Sequence, residues 1–313
     1  MSSGTLQILL QVVRQNEECK CTDDMKYGIL NQNGILTAVV FTEDAAFSLN
    51  PSVTAETLQS ALSSPDRLKE IAERAIRDTP AIAWTPDQLR APVAAPRKIL
   101  GIGLNFLDHA QETGRTPPET QTWFVKQVTA LNDPYGDVHL PIVSDKLDYE
   151  VELVVVIGRG GRHIPAARAM DAIAGFTVGC DYSVRDWQKA TPTMIMGKGF
   201  DTHAPIGPWI VTPDEIDSID DLRLTTHVNG EKRQDALAAN LIHKIPDLIA
   251  HLSAAFTLEP GDLIFTGTPA GVAFAMDPPK YLKVGDRVTI AIDGIGRIEN
   301  RIVAEPAPKD WGN

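Results

Sequence analysis

Glu150 and Glu152 stand two residues apart in the run Leu147–Leu153, at the head of an apolar stretch that continues to Gly158. In a β-strand that spacing puts both carboxylates on one face. Ionised carboxylates are costly to bury unless paired or bound to a cation, and a hard divalent ion is the simplest compensation. A third acid, Asp181, closes the apolar segment Phe176–Asp181. Three oxygen ligands from two strand ends suit Mg²⁺ or a similar ion that keeps positions open for water and substrate. The set itself contains no His or Cys, which disfavours zinc and copper. Asp148, in phase with the glutamates, is either a spare ligand or a solvated side chain. The competing reading of the whole pair is the solvated face of a strand.

Further groups supply acid–base and binding chemistry. His109 and Glu112, three residues apart, can meet on a helical turn, where a carboxylate raises the basicity of an imidazole and fixes its tautomer. Such a pair suits a general base that activates water; the alternative is a surface His–Glu pair. Arg185 and Lys198 offer cationic donors for a carboxylate or a developing oxyanion, and Gln188 a neutral one. Gly197 and Gly199 flank Lys198 and indicate either a close backbone approach or flexibility. Thr266–Val272 reads as a strand opening into a Gly-rich loop without the lysine of a P-loop.

These residues require strands to carry them. From Lys98 onward the pattern predicts strands at 99–103, 138–141, 150–157, 176–181, 208–211, 222–228, 262–265 and 288–292, with helices at 166–174 and 246–256. Before them, strand patterns at 27–30 and 35–41 and a helix at 65–76, with Ser64 placed to cap and Pro65 in the first turn, predict a small α+β region. The prolines at 86, 92 and 96 mark a linker or an ordered crossing. The fold class expected is α+β, dominated by β-strands, and not a doubly wound parallel sheet.

Composition narrows the function. A net charge of −12, from 41 acidic and 29 basic residues, argues against nucleic-acid and membrane partners. The run Leu6–Val13 has no basic segment before it and no small-residue cleavage site after it, so a cytoplasmic location is expected. Three cysteines build no disulfide framework; Cys19 and Cys21 lack the further ligands a zinc site needs, and Cys180 reads as a small buried hydrophobe.

Taken in order, the stretches Gly103–Glu112, Tyr149–Leu153, Asp181 with Arg185–Gln188, Lys198–Asp201 and Thr266–Val272 resemble the fumarylacetoacetate hydrolase family over residues 96–304. The resemblance implies a β-sandwich roll for residues 93–313, a small variable domain for residues 1–92, and assembly as a homodimer. It further implies Mg²⁺ or Mn²⁺ held by Glu150, Glu152 and Asp181, with an oxo acid chelating through its oxo and carboxylate oxygens. His109 and Glu112 would then activate water on a lid, Lys198 would stabilise an enolate or carbanion, and Arg185, Gln188 and Thr268 would position the substrate. The expected reaction is hydrolysis of a carbon–carbon bond in an acylpyruvate-like or β-diketo acid. Decarboxylation, hydration or isomerisation of a 2-oxo or 2-hydroxymuconate-type acid is the alternative, and a non-catalytic binding protein the reading from another class. Asn105-Phe106 stands where the family usually has Asn-Tyr, which removes a hydroxyl. Trp123 is either a contact to the substrate tail or a packing residue under the lid.

Overall fold

The computed structural model describes residues 25–43 and 45–307. The run Leu6–Val13 and the pair Cys19 and Cys21 lie outside the described residues. The strand Val151–Ile157 has every residue buried, and its two faces meet different surroundings. Val151, Leu153, Val155 and Ile157 pack with Leu224, Ile290 and Ile298, while Val154 and Val156 pack with Leu58, Leu68 and Ile76. Burial on both faces explains why the segment reads as a continuous apolar run, and each such side chain contributes about 1.5–3 kcal/mol.

Around this strand the described residues form two large sheets, and Leu147–Asp148 pairs separately with Ser183–Val184. The larger runs in the order Ala46–Ser48, Ile35–Phe41, Lys26–Gln32, Ala204–Val211, Ile173–Cys180, Val151–Ile157, Leu263–Phe265, Ile99–Gly103, Thr122–Lys126. Leu89–Arg90 and Leu131–Asn132 pair beside this path, so the proline-rich stretch is an ordered crossing. The smaller sheet runs Glu231–Leu237, Arg223–Val228, Arg287–Ile292, Gly296–Ala304, Val138–Leu140. The fold is α+β with strands predominating, as expected, and the residues shared by the two sheets fill the main core.

The helix Pro65–Asp78 turns Leu68, Ala72, Ala75 and Ile76 inward; Pro65 opens it, whereas the Ser64 side chain makes no capping bond. The helix expected at 166–174 is a 3₁₀ segment, Ala166–Ala172, because from Ile173 the backbone is drawn into pairing with Ile157. Among strands of five or more described residues, Thr122–Lys126, Glu231–Leu237 and Gly296–Ala304 carried no recognised signal. No helix among the described residues is long and apolar enough to cross a membrane.

Candidate active site

The strand pairing brings the three acids together. Val151 pairs with Cys180 and Glu152 with Gly179, and one step further the Asp181 N–H donates to the Glu150 carbonyl at 2.9 Å. Glu150, Glu152 and Asp181 are buried, and one carboxylate oxygen from each lies within 4.8 Å of the others.

Buried cations converge on two of these acids. Lys198 Nζ lies 2.6 Å from Glu150 Oε2 and 2.5 Å from Asp181 Oδ2. Arg185 Nη2 lies 2.7 Å from Glu150 Oε1. Burial alone would raise the Glu150 carboxyl, but Lys198 and then Arg185 hold it far below the ordinary range. Burial would likewise lower the Lys198 ammonium, yet Asp181 and Glu150 outweigh it and keep it protonated. Glu152 Oε2 accepts the Gly267 N–H at 2.6 Å, and burial, then Asp181 and Glu150, push its carboxyl well above the usual value. A divalent cation would offset the charge that the chain's own cations leave on Glu152, so this all-oxygen set fits a hard metal ion.

Asp148 is neither spare ligand nor solvated. It is fully buried, accepts Arg185 Nε at 2.8 Å, and takes the Ala273 and Phe274 N–H groups at 2.8 and 3.0 Å. It thereby fixes Arg185 and the loop after Thr268. Arg185 Nη1 also donates to Gln188 Oε1 at 2.9 Å.

His109 and Glu112 meet as expected, on the short helix Leu107–Glu112. His109 Nδ1 lies 2.7 Å from Glu112 Oε1, and Glu112 Oε2 accepts the Gly271 N–H at 2.9 Å. The helix starts after Leu104, a non-glycine residue at φ 55°, and is rooted by buried Asn105. Asn105 Nδ2 donates to the Thr266 and His243 carbonyls at 2.8 and 3.1 Å, and Asn105 Oδ1 accepts the His243 N–H at 2.8 Å. Phe106 is wholly buried in the main core, so the hydroxyl absent here would lie in the core and away from the cavity.

His109, Glu112, Glu150, Glu152, Arg185, Gln188, Lys198 and Thr268 all line one cavity of about 780 Å³. Trp123 is not among the lining residues: it packs on the main core, and its Nε1 donates to Gln121 Oε1 at 3.1 Å. Strand alternation instead turns Thr122 and Phe124 into the cavity. The Phe124 ring lies over Gly101, where a Cβ would come within 2.3 Å of it, and 4.9 Å from Lys198 Nζ. Gly197 is a close-approach glycine, since a Cβ there would stand 2.2 Å from Gln188 N.

Two polar residues absent from the sequence reading complete the site. Lys126, fully buried, donates to Asp181 Oδ1 at 2.6 Å. Gln234 Nε2 donates to Thr268 Oγ1 at 2.8 Å, while its Oε1 accepts the Val151 N–H at 3.0 Å. Cys180 is buried, and burial pushes its thiol well above the ordinary value, so it is no nucleophile.

Residues 98–303 match the family model for the fumarylacetoacetate (FAA) hydrolase C-terminal domain. The chain belongs to the fumarylacetoacetate hydrolase family. Within this family it is 39% identical over 251 residues to the human oxaloacetate tautomerase FAHD2B, mitochondrial, an alignment that covers 79% of this chain and 80% of the relative. The fumarylacetoacetate hydrolase of Exiguobacterium antarcticum superposes with a TM-score of 0.80 at 30% identity, covering 90% of this chain and all of that one. Maleylpyruvate hydrolase from Sphingobium sp. SYK-6, solved with manganese(II) and pyruvate, gives 0.75 at 27% identity over 90% of this chain and 100% of that one. The chain is therefore an enzyme-family member whose buried acid triad offers a metal site.

Proposed function

We propose that this protein is a divalent-metal-dependent enzyme that moves a proton on a 2-oxo acid, interconverting its keto and enol forms. The observation that carries the reading is one cavity lined both by a carboxylate-braced imidazole and by two of the three buried acids. The oxaloacetate tautomerase name of the human relative supports it.

Glu150, Glu152 and Asp181 would hold Mg²⁺ or Mn²⁺. When bound, the ion supplies Lewis acidity at the oxo and carboxylate oxygens of the substrate. Glu112 accepts the Nδ1 proton of His109 and leaves Nε2 as the base that takes a proton from the carbon beside the oxo group. Lys198 stays protonated and presents positive charge to the developing enolate oxygen, and returning the proton to carbon completes the cycle. Arg185, Gln188 and Thr268 position the acid. Asp148 and Gln234 hold those side chains in place.

Hydrolysis of a carbon–carbon bond in an acylpyruvate is the second reading, favoured by the same dyad and by the maleylpyruvate hydrolase neighbour. There the base takes its proton from water, hydroxide adds to the distal carbonyl carbon, and the breaking bond leaves its electron pair on an enolate that is then protonated. Proton NMR in D₂O separates the two. Deuteration of oxaloacetate at C3 above the buffer rate, without new products, marks tautomerisation, whereas equimolar pyruvate and carboxylate from an acylpyruvate marks hydrolysis. Chelation is expected to abolish either activity, Mg²⁺ or Mn²⁺ to restore it, and Glu150→Ala to be inactive; full turnover by that variant overturns the metal assignment.

We further propose that residues 93–313 form the catalytic domain beside a small domain of residues 1–92, and that the working unit is a homodimer. Limited proteolysis and light scattering test these two points.

A further inference from the structure

Glu112 is held at both ends of its carboxylate, and the group at the end away from His109 has a support of its own. Glu112 Oε2 accepts the Gly271 N–H at 2.9 Å, and the carbonyl of the same Gly271 accepts the Tyr149 hydroxyl at 3.1 Å. The backbone there has no slack. Gly271 lies at φ 104°, and a Cβ on it would stand 1.9 Å from the Arg233 carbonyl oxygen. Gln234 holds this loop at Thr268 and Pro269, and Asp148 holds it at Ala273 and Phe274. Tyr149 holds it at the residue that meets Glu112.

Tyr149 stands between Asp148 and Glu150 in the chain. Arg185 pairs with both of those acids, while Tyr149 packs wholly buried in the main core and lies outside the cavity lining. Burial, and then the Asp148 charge, push its phenol up, so the hydroxyl stays protonated and able to donate. The Arg233 guanidinium opposes that shift, and is itself tied to Glu231 Oε2 at 3.0 Å and to Met276 Sδ at 3.2 Å. A phenol sunk this deep has one proton to give, and it goes to Gly271.

We propose that Tyr149 is a positioning residue for the dyad. Its hydroxyl fixes Gly271, Gly271 fixes Glu112, and Glu112 then meets His109 Nδ1 at 2.7 Å. This rests on the reading of His109 as the base of the proposed reaction. Tyr149 touches neither substrate nor reacting atoms. Because the next residue is Glu150, one stretch of chain sets both a candidate metal ligand and the carboxylate that orients the base.

The test is a double-mutant cycle of Tyr149→Phe with Glu112→Gln in the Mn²⁺-loaded protein, read by deuterium exchange at C3 of oxaloacetate. Tyr149→Phe is expected to lower kcat about tenfold with KM changed less than about twofold. In the Glu112→Gln background it should cost nothing further, whereas a residue that only packs the core would add its loss to that of Glu112. The second readout needs no turnover: the proton that His109 Nδ1 shares with Glu112 gives a downfield NMR resonance in H₂O, assigned by its absence from His109→Gln. That resonance should move upfield in Tyr149→Phe. Should Tyr149→Phe fail to fold, Arg233→Gln takes its place; it leaves the hydroxyl and removes the charge beside it, and should move the resonance and kcat the same way by less. Additive losses, or an unmoved resonance in the folded variant, overturn the positioning role. If the unmodified protein exchanges no deuterium and hydrolyses no acylpyruvate while the resonance still moves in Tyr149→Phe, the oxo-acid reading falls and the positioning of Glu112 stands.

Discussion

Lys126 Nζ stands 2.6 Å from Asp181 Oδ1 with neither side chain exposed, so one of the three candidate metal ligands is held by a lysine on the edge strand Thr122–Lys126. Burial pulls the Lys126 ammonium downward, and Asp181 opposes that pull. Replacing the lysine with a neutral side chain leaves buried Asp181 with Lys198 on its other oxygen and nothing on Oδ1, so the loss stays below the roughly 3–5 kcal/mol of a fully broken buried pair. Lys126→Met is therefore expected to lose stability mainly in the metal-free protein and to recover part of it with Mn²⁺. Urea unfolding with and without the ion measures this, and an equal loss in both states would contradict the assignment.

The acid triad and the dyad were legible because their signals are short-range or sit at strand ends: Glu150 and Glu152 two residues apart, His109 and Glu112 three apart, Asp181 closing an apolar run. Their supports were not. Lys126 is 55 residues from Asp181, Gln234 is 83 from Val151 and Asn105 is 138 from His243, and no local pattern announces pairs at such distances. Gln234 was further hidden because its strand, Glu231–Leu237, reads EKRQDAL and buries only Gln234 and Ala236. Cross-strand bonding to Arg223–Val228 forms that strand, with little help from its own apolar content. Trp123 reads as either a cavity or a packing residue until its register is fixed; once Thr122–Lys126 is a strand, period two assigns the cavity to Thr122 and Phe124. Asp148 shares the glutamates' phase, yet Arg185 and the Ala273 and Phe274 amides consume its oxygens.

Gly267 tests how tightly the glycine loop is tied to the acids. Its φ is 102°, a Cβ there would lie 2.8 Å from the Asn105 Cβ, and its N–H donates to Glu152. Gly267→Ala strains the backbone and pushes on the root of the dyad helix. The expected outcome is a stability loss of about 1–3 kcal/mol and Mn²⁺ binding weakened about tenfold. Unchanged metal affinity in a folded variant would show that the amide does not orient Glu152.

Glu112 uses both carboxylate oxygens, one toward His109 and one toward the Gly271 N–H. A glutamine has a single acceptor oxygen and can satisfy only one of those donors. Glu112→Gln is expected to cut kcat about a hundredfold, with KM changed less than about twofold and metal affinity untouched. Wild-type kcat in this variant would remove the dyad from the mechanism.

His203 gives the pH dependence of stability. It is fully buried; its Nε2 lies 2.8 Å from the His139 carbonyl, its Nδ1 has no hydrogen-bond partner among the described residues, and Phe200 stacks on its ring. Burial first, and then the nearby Lys126 charge, lower its pKa to about 3, against the hydrogen bond to His139. The unfolded chain binds a proton near pH 6.5, whereas the folded protein refuses it until about pH 3. Stability is therefore complete above pH 6.5 and falls as pH drops, by up to about 1.4 kcal/mol per pH unit, levelling off as the folded histidine protonates. His203→Gln retains a donor for the His139 carbonyl and removes the titration. Urea midpoints taken from pH 7 to pH 5 should slope less steeply in that variant than in the unmodified protein. Parallel slopes would mean that His203 takes up its proton in the folded state as readily as in the unfolded chain.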